Sequence, residues 1–285
     1  MMTAVQLFAV EAGGPRQLSP AVAPTGIHDL PAGLPYGVYT AMRTFEHNRF
    51  LELAAHLDRL EQSAALLGWS YRLDRQRLRR ALHTVCSAYP GADARVRIDI
   101  LAGPATLLGS TSRELITLAP FTPLPVHLYR EGVRVALAPA LQRKAPLVKH
   151  ADFVLERSAY PLGEPDAYEY LLLDDGRILE GSSSNFYGVF DGELWTAGDG
   201  VLAGIARQIV LRLAAELVIP LRLEAVPLAA VPELAEAFLT SASRGVLPVV
   251  AIGDEPVGPA RPGAVTRRLS AAYDDYVERA IEPAL

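Results

Sequence analysis

Residues 167–197 read AYEYLLLDDGRILEGSSSNFYGVFDGELWTA. Two Asp-Gly pairs, Asp175-Gly176 and Asp191-Gly192, separate runs of aliphatic and aromatic residues. Asp-Gly favours a two-residue hairpin turn because both central positions need positive φ. The stretch therefore reads as an antiparallel meander. Between two of its strands lies Glu180-Gly181-Ser182-Ser183-Ser184-Asn185, a carboxylate followed by small and amide residues. Small side chains clear space for a ligand beside the carboxylate, although the same residues also suit a polar turn or bulge.

Downstream, GIARQIVLRLAAEL (Gly204–Leu217) has the spacing of an amphipathic helix. LRLEAV, AEAFLTSA and VLPVVAIG alternate as strands, and a last helix is expected over about Thr266–Ile281. Upstream, the lysine segment QRKAPLVKHADF precedes a helix around Phe153–Tyr160 and follows a strand near Val133–Ala138. APFTPLPVHL (Ala119–Leu128) carries three prolines and reads as a linker. Before it, GVYTAMRTFEHNRFLEL suggests a hairpin turning at Glu46-His47-Asn48. Leu53, Leu57, Leu60, Ala64 and Leu67 form a helical stripe ended by Gly68. A second helix starts at Asp74, and ARVRIDILAG and RELITLA read as strands. Strands outnumber helices without a regular βαβ alternation, so the expected class is α+β in two domains, 1–120 and 121–285.

The chain has 285 residues, enough to bury a full core. Its net charge of −5 leaves no electrostatic footprint for nucleic acid. One cysteine, Cys86, rules out an internal disulfide, and the six histidines show no metal-ligand spacing. No apolar run is long enough for a membrane helix, and the N-terminus lacks the basic start of a signal peptide, so the cytoplasm is the expected compartment.

Of the 27 basic residues only Lys144 and Lys149 are lysines. Arginine cannot act as an amine nucleophile at neutral pH, whereas lysine can form a Schiff base. Drift from lysine to arginine would leave the same scarcity, so the neighbours have to decide. Three other features stand out. Glu180 precedes its run of small residues. Gly204-Ile205-Ala206 opens a helix, where unused N–H groups and the helix dipole favour an anion. Arg59 lies beside a leucine stripe in His56-Leu57-Asp58-Arg59-Leu60. Each has a bland alternative: a polar turn, an ordinary helix start, a snorkelling boundary residue. Together they are the parts that pyridoxal phosphate requires: an amine, a carboxylate to keep the pyridine nitrogen protonated, and two phosphate-binding elements.

In this order the chain resembles the class IV aminotransferases, the fold type IV pyridoxal-phosphate enzymes. These include branched-chain aminotransferases, D-amino acid aminotransferases and aminodeoxychorismate lyases. The motifs that carry the resemblance are GVYTAMRTF, HLDRLEQSAALLG, KHADF, LLLDDGRILEGSSSNFYGVFDGELWT, GIAR and FLTSASRGVLPV. The resemblance implies a small α/β domain and a larger β-rich domain with pyridoxal 5′-phosphate in the cleft between them. It also implies a homodimer acting on an amino acid and a 2-oxo acid. Lys149 should form the Schiff base and Glu180 should pair with the pyridine nitrogen. Arg59, with Gly204, Ile205 and Ala206, should bind phosphate. Ser241, Ala242 and Ser243 should add phosphate and carboxylate contacts, and Tyr39 should line the substrate pocket. Lys144 has no counterpart role.

Three departures bear on the activity. Ala206 lacks the threonine hydroxyl common there, and Phe153 lacks the tyrosine hydroxyl of many aminotransferases. Ala102 stands where D-amino acid enzymes place an arginine, leaving Arg97 and Arg43 as candidates to grip a carboxylate. The expected activity is an aminotransferase with a branched-chain-like donor. Lys149-His150 and the Gly-Val-x-Pro-Val ending keep a lyase releasing pyruvate and 4-aminobenzoate as the alternative. The missing hydroxyls leave a non-catalytic relative as a third reading.

Overall fold

A computed structural model describes residues 4–29, 31–160, 164 and 166–285. The chain forms two compact units. The first comprises Met1–Thr122, Val148–Leu155 and Ala280–Leu285, and the second Pro123–Leu147 and Glu156–Arg279.

In the first unit a five-stranded antiparallel sheet runs in the order Gly14–Leu18, Gln6–Glu11, Glu114–Pro120, Ala94–Ile100, Val38–Arg43. Helix α1 (Leu53–Leu66) packs on the Val38–Arg43 strand. Most of the stripe read from its sequence is the buried face: Leu53, Leu57, Leu60 and Ala64 are shut off from solvent, whereas Leu67 caps the helix and is partly exposed. Each leucine buried in this way is worth roughly 1.5–3 kcal/mol. Helix α2 (Arg75–Ser87) is capped by Asp74, whose Oδ1 accepts the Arg77 N–H at 2.9 Å.

The expected hairpin after Val38–Arg43 is only half present. Glu46 and His47 turn the chain with positive φ, and Phe45 bridges to Arg49. The ladder partner of Val38–Arg43, however, is Ala94–Ile100, from Val38↔Ile100 to Arg43↔Arg95. The strand Arg49–Leu51 pairs instead with Ile281–Pro283. Local turn chemistry marks where a chain reverses, but burial decides which strand it joins, and Val96–Ile100 is buried on both faces.

In the second unit six strands form a ring: Asn185–Phe190, Glu236–Ser241, Gly245–Ile252, Val133–Ala138, Tyr170–Asp174 and Arg177–Gly181. The ring closes through one pairing, Asn185↔Glu180. Beyond that point the closing strands diverge. Gly188–Phe190 takes Glu193–Trp195, and Arg177–Ile178 takes Val226–Pro227. The two Asp-Gly turns are as read, with positive φ at Asp175, Gly176, Asp191 and Gly192. Val135, Leu171, Ile178, Phe186, Leu239 and Leu247 belong to one buried cluster.

The linker segment is less open than its prolines suggest. The strand Glu114–Pro120 takes its start and α3 (Val126–Glu131) its end. Helix α4 (Asp152–Ala159) begins within the first unit. α5 (Ile205–Glu216) buries Ile205, Ile209, Val210, Leu213 and Ala214, and α6 (Ala264–Ala280) follows the last strands of the ring. LRLEAV yields only the paired residues Leu221–Arg222 and Val226, because its middle is exposed and has no ladder partner to order it. Among the described residues no helix is long and apolar enough to cross a membrane.

Candidate active site

The first unit places Lys149 by its backbone. Its carbonyl accepts the Tyr39 N–H at 2.9 Å, and Ala151 N–H donates to Gly37 O at 2.8 Å. Residues 149–151 thus run along the Val38–Arg43 strand, with His150 bridged to Val38. From α1, Ser63 Oγ accepts the Lys149 N–H at 3.3 Å. The Lys149 side chain is half-buried, its Nζ 4.9 Å from the centroid of the Tyr39 ring. Tyr39, Ala151 and Val154 form a small apolar cluster with Tyr36 and Ala41.

Arg59 is buried on the same face of α1 as Ser63, and its Nη2 donates to Thr40 Oγ1 at 2.9 Å. Thr40 Oγ1 also lies 2.7 Å from His56 Nδ1. Burial, with the Arg59 and Lys149 charges nearby, holds the His56 imidazole well below its ordinary range, so the ring is neutral. The two arginines considered for a substrate carboxylate are otherwise engaged. Arg97 is shut off from solvent and grips Asp99 with Nε and Nη2, while its guanidinium carbon lies 4.1 Å from the Tyr39 ring centroid. Arg43 is stacked on Phe45 and Phe121 at 3.9 and 4.3 Å. Phe153 is buried and offers no hydroxyl, as its sequence position implied.

The second unit holds Glu180 where the ring of strands closes. Glu180 is 2% exposed. Oε1 accepts from Arg143 Nε at 2.9 Å, and Oε2 from Leu202 N at 3.2 Å and Asn185 Nδ2 at 3.4 Å. Asn185 Nδ2 also reaches Leu202 O at 2.9 Å, so one amide ties the carboxylate to the approach of α5. A side chain at Gly204 would put its Cβ 2.2 Å from Asn185 Oδ1, so glycine is the residue that fits. Ile205 and Ala206 follow, both buried. The first N–H groups of α5 have no intrahelical acceptors, so they are donors of the kind that suits an anion.

Ser241, Ala242 and Ser243 form the tight connection between two ring strands, where Ser241 pairs with Gly245. Arg244 fixes that connection. Its Nε donates to Ser241 Oγ at 2.7 Å, Nη1 to Glu169 Oε2 at 2.8 Å, and Nη2 to Ser183 O and Oγ at 3.0 and 2.9 Å. Glu169 accepts in turn from Ser184 Oγ at 2.9 Å and from Ser183 N. Burial alone would raise the Glu169 carboxyl, but the Arg244 charge and the serine hydrogen bonds outweigh it and hold it below its ordinary range. The buried Arg244–Glu169 pair therefore staples the 182–184 loop to the 241–243 loop.

Sequence reading passed over Thr40, His56, Ser63, Arg143, Glu169 and Arg244 as site residues. His56 and Ser63 carried a signal, since their i−3 and i+4 spacing from Arg59 puts all three on one helix face. Arg143, Glu169 and Arg244 carried none, because arginines and acids are common on this chain and only contact sets these apart. Lys144 is exposed and pairs with Glu156 at 2.9 Å.

Comparison with known proteins gives the family and the fold. Residues 37–252 match the family "Amino-transferase class IV". The chain is 30% identical over 257 residues to the "Probable branched-chain-amino-acid aminotransferase" of Thermotoga maritima, covering 84% of this chain and 86% of that protein. It is 25% identical over 252 residues to the D-alanine aminotransferase of Bacillus licheniformis, covering 85% and 87%. In fold it is similar to the T.th. branched-chain amino acid aminotransferase solved with pyridoxamine 5′-phosphate, with a TM-score of 0.80, 21% identity and full coverage of both chains. The chain belongs to the class IV aminotransferase family and is an aminotransferase dependent on pyridoxal 5′-phosphate.

Proposed function

We propose that Lys149, Arg59, Glu180 and the start of α5 hold the cofactor, and that the enzyme moves the amino group of a branched-chain-type amino acid to a 2-oxo acid. The donor set fits pyridoxal phosphate by its chemistry. Lys149 supplies an amine, Glu180 a buried anion for a pyridinium, and Arg59 with the N–H groups of Ile205 and Ala206 a cationic cradle for a phosphate. Ser241, Ala242 and Ser243 add hydroxyl and N–H donors. Bound there, the cofactor supplies the electron sink that makes a substrate's α-hydrogen acidic.

Lys149 Nζ is then the amine that anchors the cofactor and, once released, the base that takes the α-proton and returns it. Glu180, its oxygens oriented by Arg143, Asn185 and Leu202, keeps a proton on the ring nitrogen. Tyr39, Ala151 and Val154 exclude water next to Nζ and favour an aliphatic side chain.

The observation that carries the substrate reading is the apolar cluster beside Lys149, with Arg97 already committed to Asp99. The name of the Thermotoga relative supports it. We further propose a cytoplasmic homodimer. The test is a donor screen, in which the holoenzyme is mixed with single amino acids and the cofactor absorbance is followed. Leucine, isoleucine and valine are expected to convert the cofactor at least roughly tenfold faster than D-alanine. The reverse ranking would overturn the substrate assignment.

A further inference from the structure

We propose that Thr40 and His56 are positioning residues that aim the Arg59 guanidinium, through a one-way chain from Arg59 Nη2–H to Thr40 Oγ1 and from Thr40 Oγ1–H to His56 Nδ1. The inference rests on the reading of Arg59 as a phosphate ligand.

The direction of the chain follows from what each group can do. A guanidinium only donates, so at 2.9 Å Thr40 Oγ1 is the acceptor. The hydroxyl has one proton left to place. Thr40 is fully shut off from solvent, and a buried hydroxyl that donates to nothing costs stability. Its other contact is His56 Nδ1 at 2.7 Å, so the proton points there and Nδ1 carries a lone pair. The neutral ring then has its hydrogen on Nε2. An imidazolium would reverse the second bond and set a cation beside Arg59. Burial and the Arg59 and Lys149 charges both oppose that form.

Such a relay serves a purpose. A long arginine side chain loses much rotamer freedom when it is fixed, and a guanidinium already held by Thr40 has met part of that loss before a ligand binds. The placement on α1 extends the argument to the lysine. His56, Arg59 and Ser63 share one helix face. The first two hold Thr40, and Ser63 takes the Lys149 N–H. Thr40 adjoins Tyr39, whose N–H holds the Lys149 carbonyl. One face of one helix thus sets both the cation and the amine.

The experiment titrates the apo form of the full chain with pyridoxal 5′-phosphate and, separately, with pyridoxal, which lacks the phosphate. The readout is the ratio of the two dissociation constants. Arg59→Gln should lower the preference for the phosphorylated form. Thr40→Val, which keeps the shape and removes the hydroxyl, should lower it by roughly tenfold, and Thr40→Ser should restore it. His56→Leu should act like Thr40→Val, and it carries the test if the valine variant cannot be purified. If Arg59→Gln loses the preference while Thr40→Val and His56→Leu keep it, the relay is wrong and the Arg59 assignment stands. If Arg59→Gln changes nothing, the Arg59 assignment itself fails. A loss of affinity for both ligands alike in Thr40→Val would mean a merely structural role and would also overturn the proposal.

Discussion

Lys144 and Lys149 are five positions apart, and their surroundings separate them. Lys144 extends into solvent to meet Glu156, an exposed pair worth about 0–1 kcal/mol. Lys149 is fixed at its carbonyl by Tyr39 and at its N–H by Ser63, with Nζ over an aromatic ring. Borohydride reduction of the holoenzyme should therefore add the cofactor's mass to wild type and to Lys144→Ala, but not to Lys149→Ala; a labelled Lys149→Ala chain would mean the wrong lysine was chosen. His56 gives a second expectation at this scale. Its folded pKa lies below its unfolded value near 6.5, so below that pH the unfolded chain binds a proton that the folded chain refuses. Stability linked to the neutral ring is complete above pH 6.5 and falls as the pH drops toward the folded value. His56→Asn should flatten the loss of thermal stability between about pH 6.5 and 5 relative to wild type; equal slopes in the two proteins would refute the assignment.

At the scale of elements, the small-residue run after Glu180 shows why it is small. A Cβ on Gly181 would lie 2.1 Å from Ser184 Oγ and 2.6 Å from Glu169 Oε1, so the loop is wrapped tightly around that carboxylate. Breaking the staple from the arginine side leaves Glu169 charged, buried and unpaired. Arg244→Met should cost about 3–5 kcal/mol in denaturant unfolding, whereas changing both partners together should cost less. The sign of the pH effect follows from Glu169. Its folded pKa is depressed, so its contribution is present above the unfolded carboxylate pKa and is lost as pH falls through the folded one. Glu169→Gln should lack that part of the acid limb; an acid limb unchanged from wild type would count against the pairing described. The meander, the Asp-Gly turns, the helix stripes and the Gly204 helix start were all legible because each is a local pattern. The partners of Glu180 and Glu169 were not, because Arg143 lies 37 positions from Glu180 and Arg244 lies 75 from Glu169.

Across the whole molecule, ladder partners chosen by burial escaped the sequence in the same way. Nothing local to Arg49–Leu51 indicates that its partner is Ile281–Pro283, yet Ile281 and Ala284 are buried in the first unit. Arg49 Nη2 and Arg79 Nη1 hold the carbonyls of Ile281 and Ala284 at 2.7 and 3.2 Å. Deleting residues 281–285 should lower the melting temperature by several degrees in calorimetry, with the loss in the first unit. An unchanged transition would show that this pairing contributes nothing. The same pairing has a consequence in time. A ribosome adds roughly 5–20 residues per second, so the strand Arg49–Leu51 waits on the order of ten seconds or longer for its partner to be made. Through that interval Arg49–Leu51 is without its ladder partner, and a helper that covers exposed strands would have its period of use there.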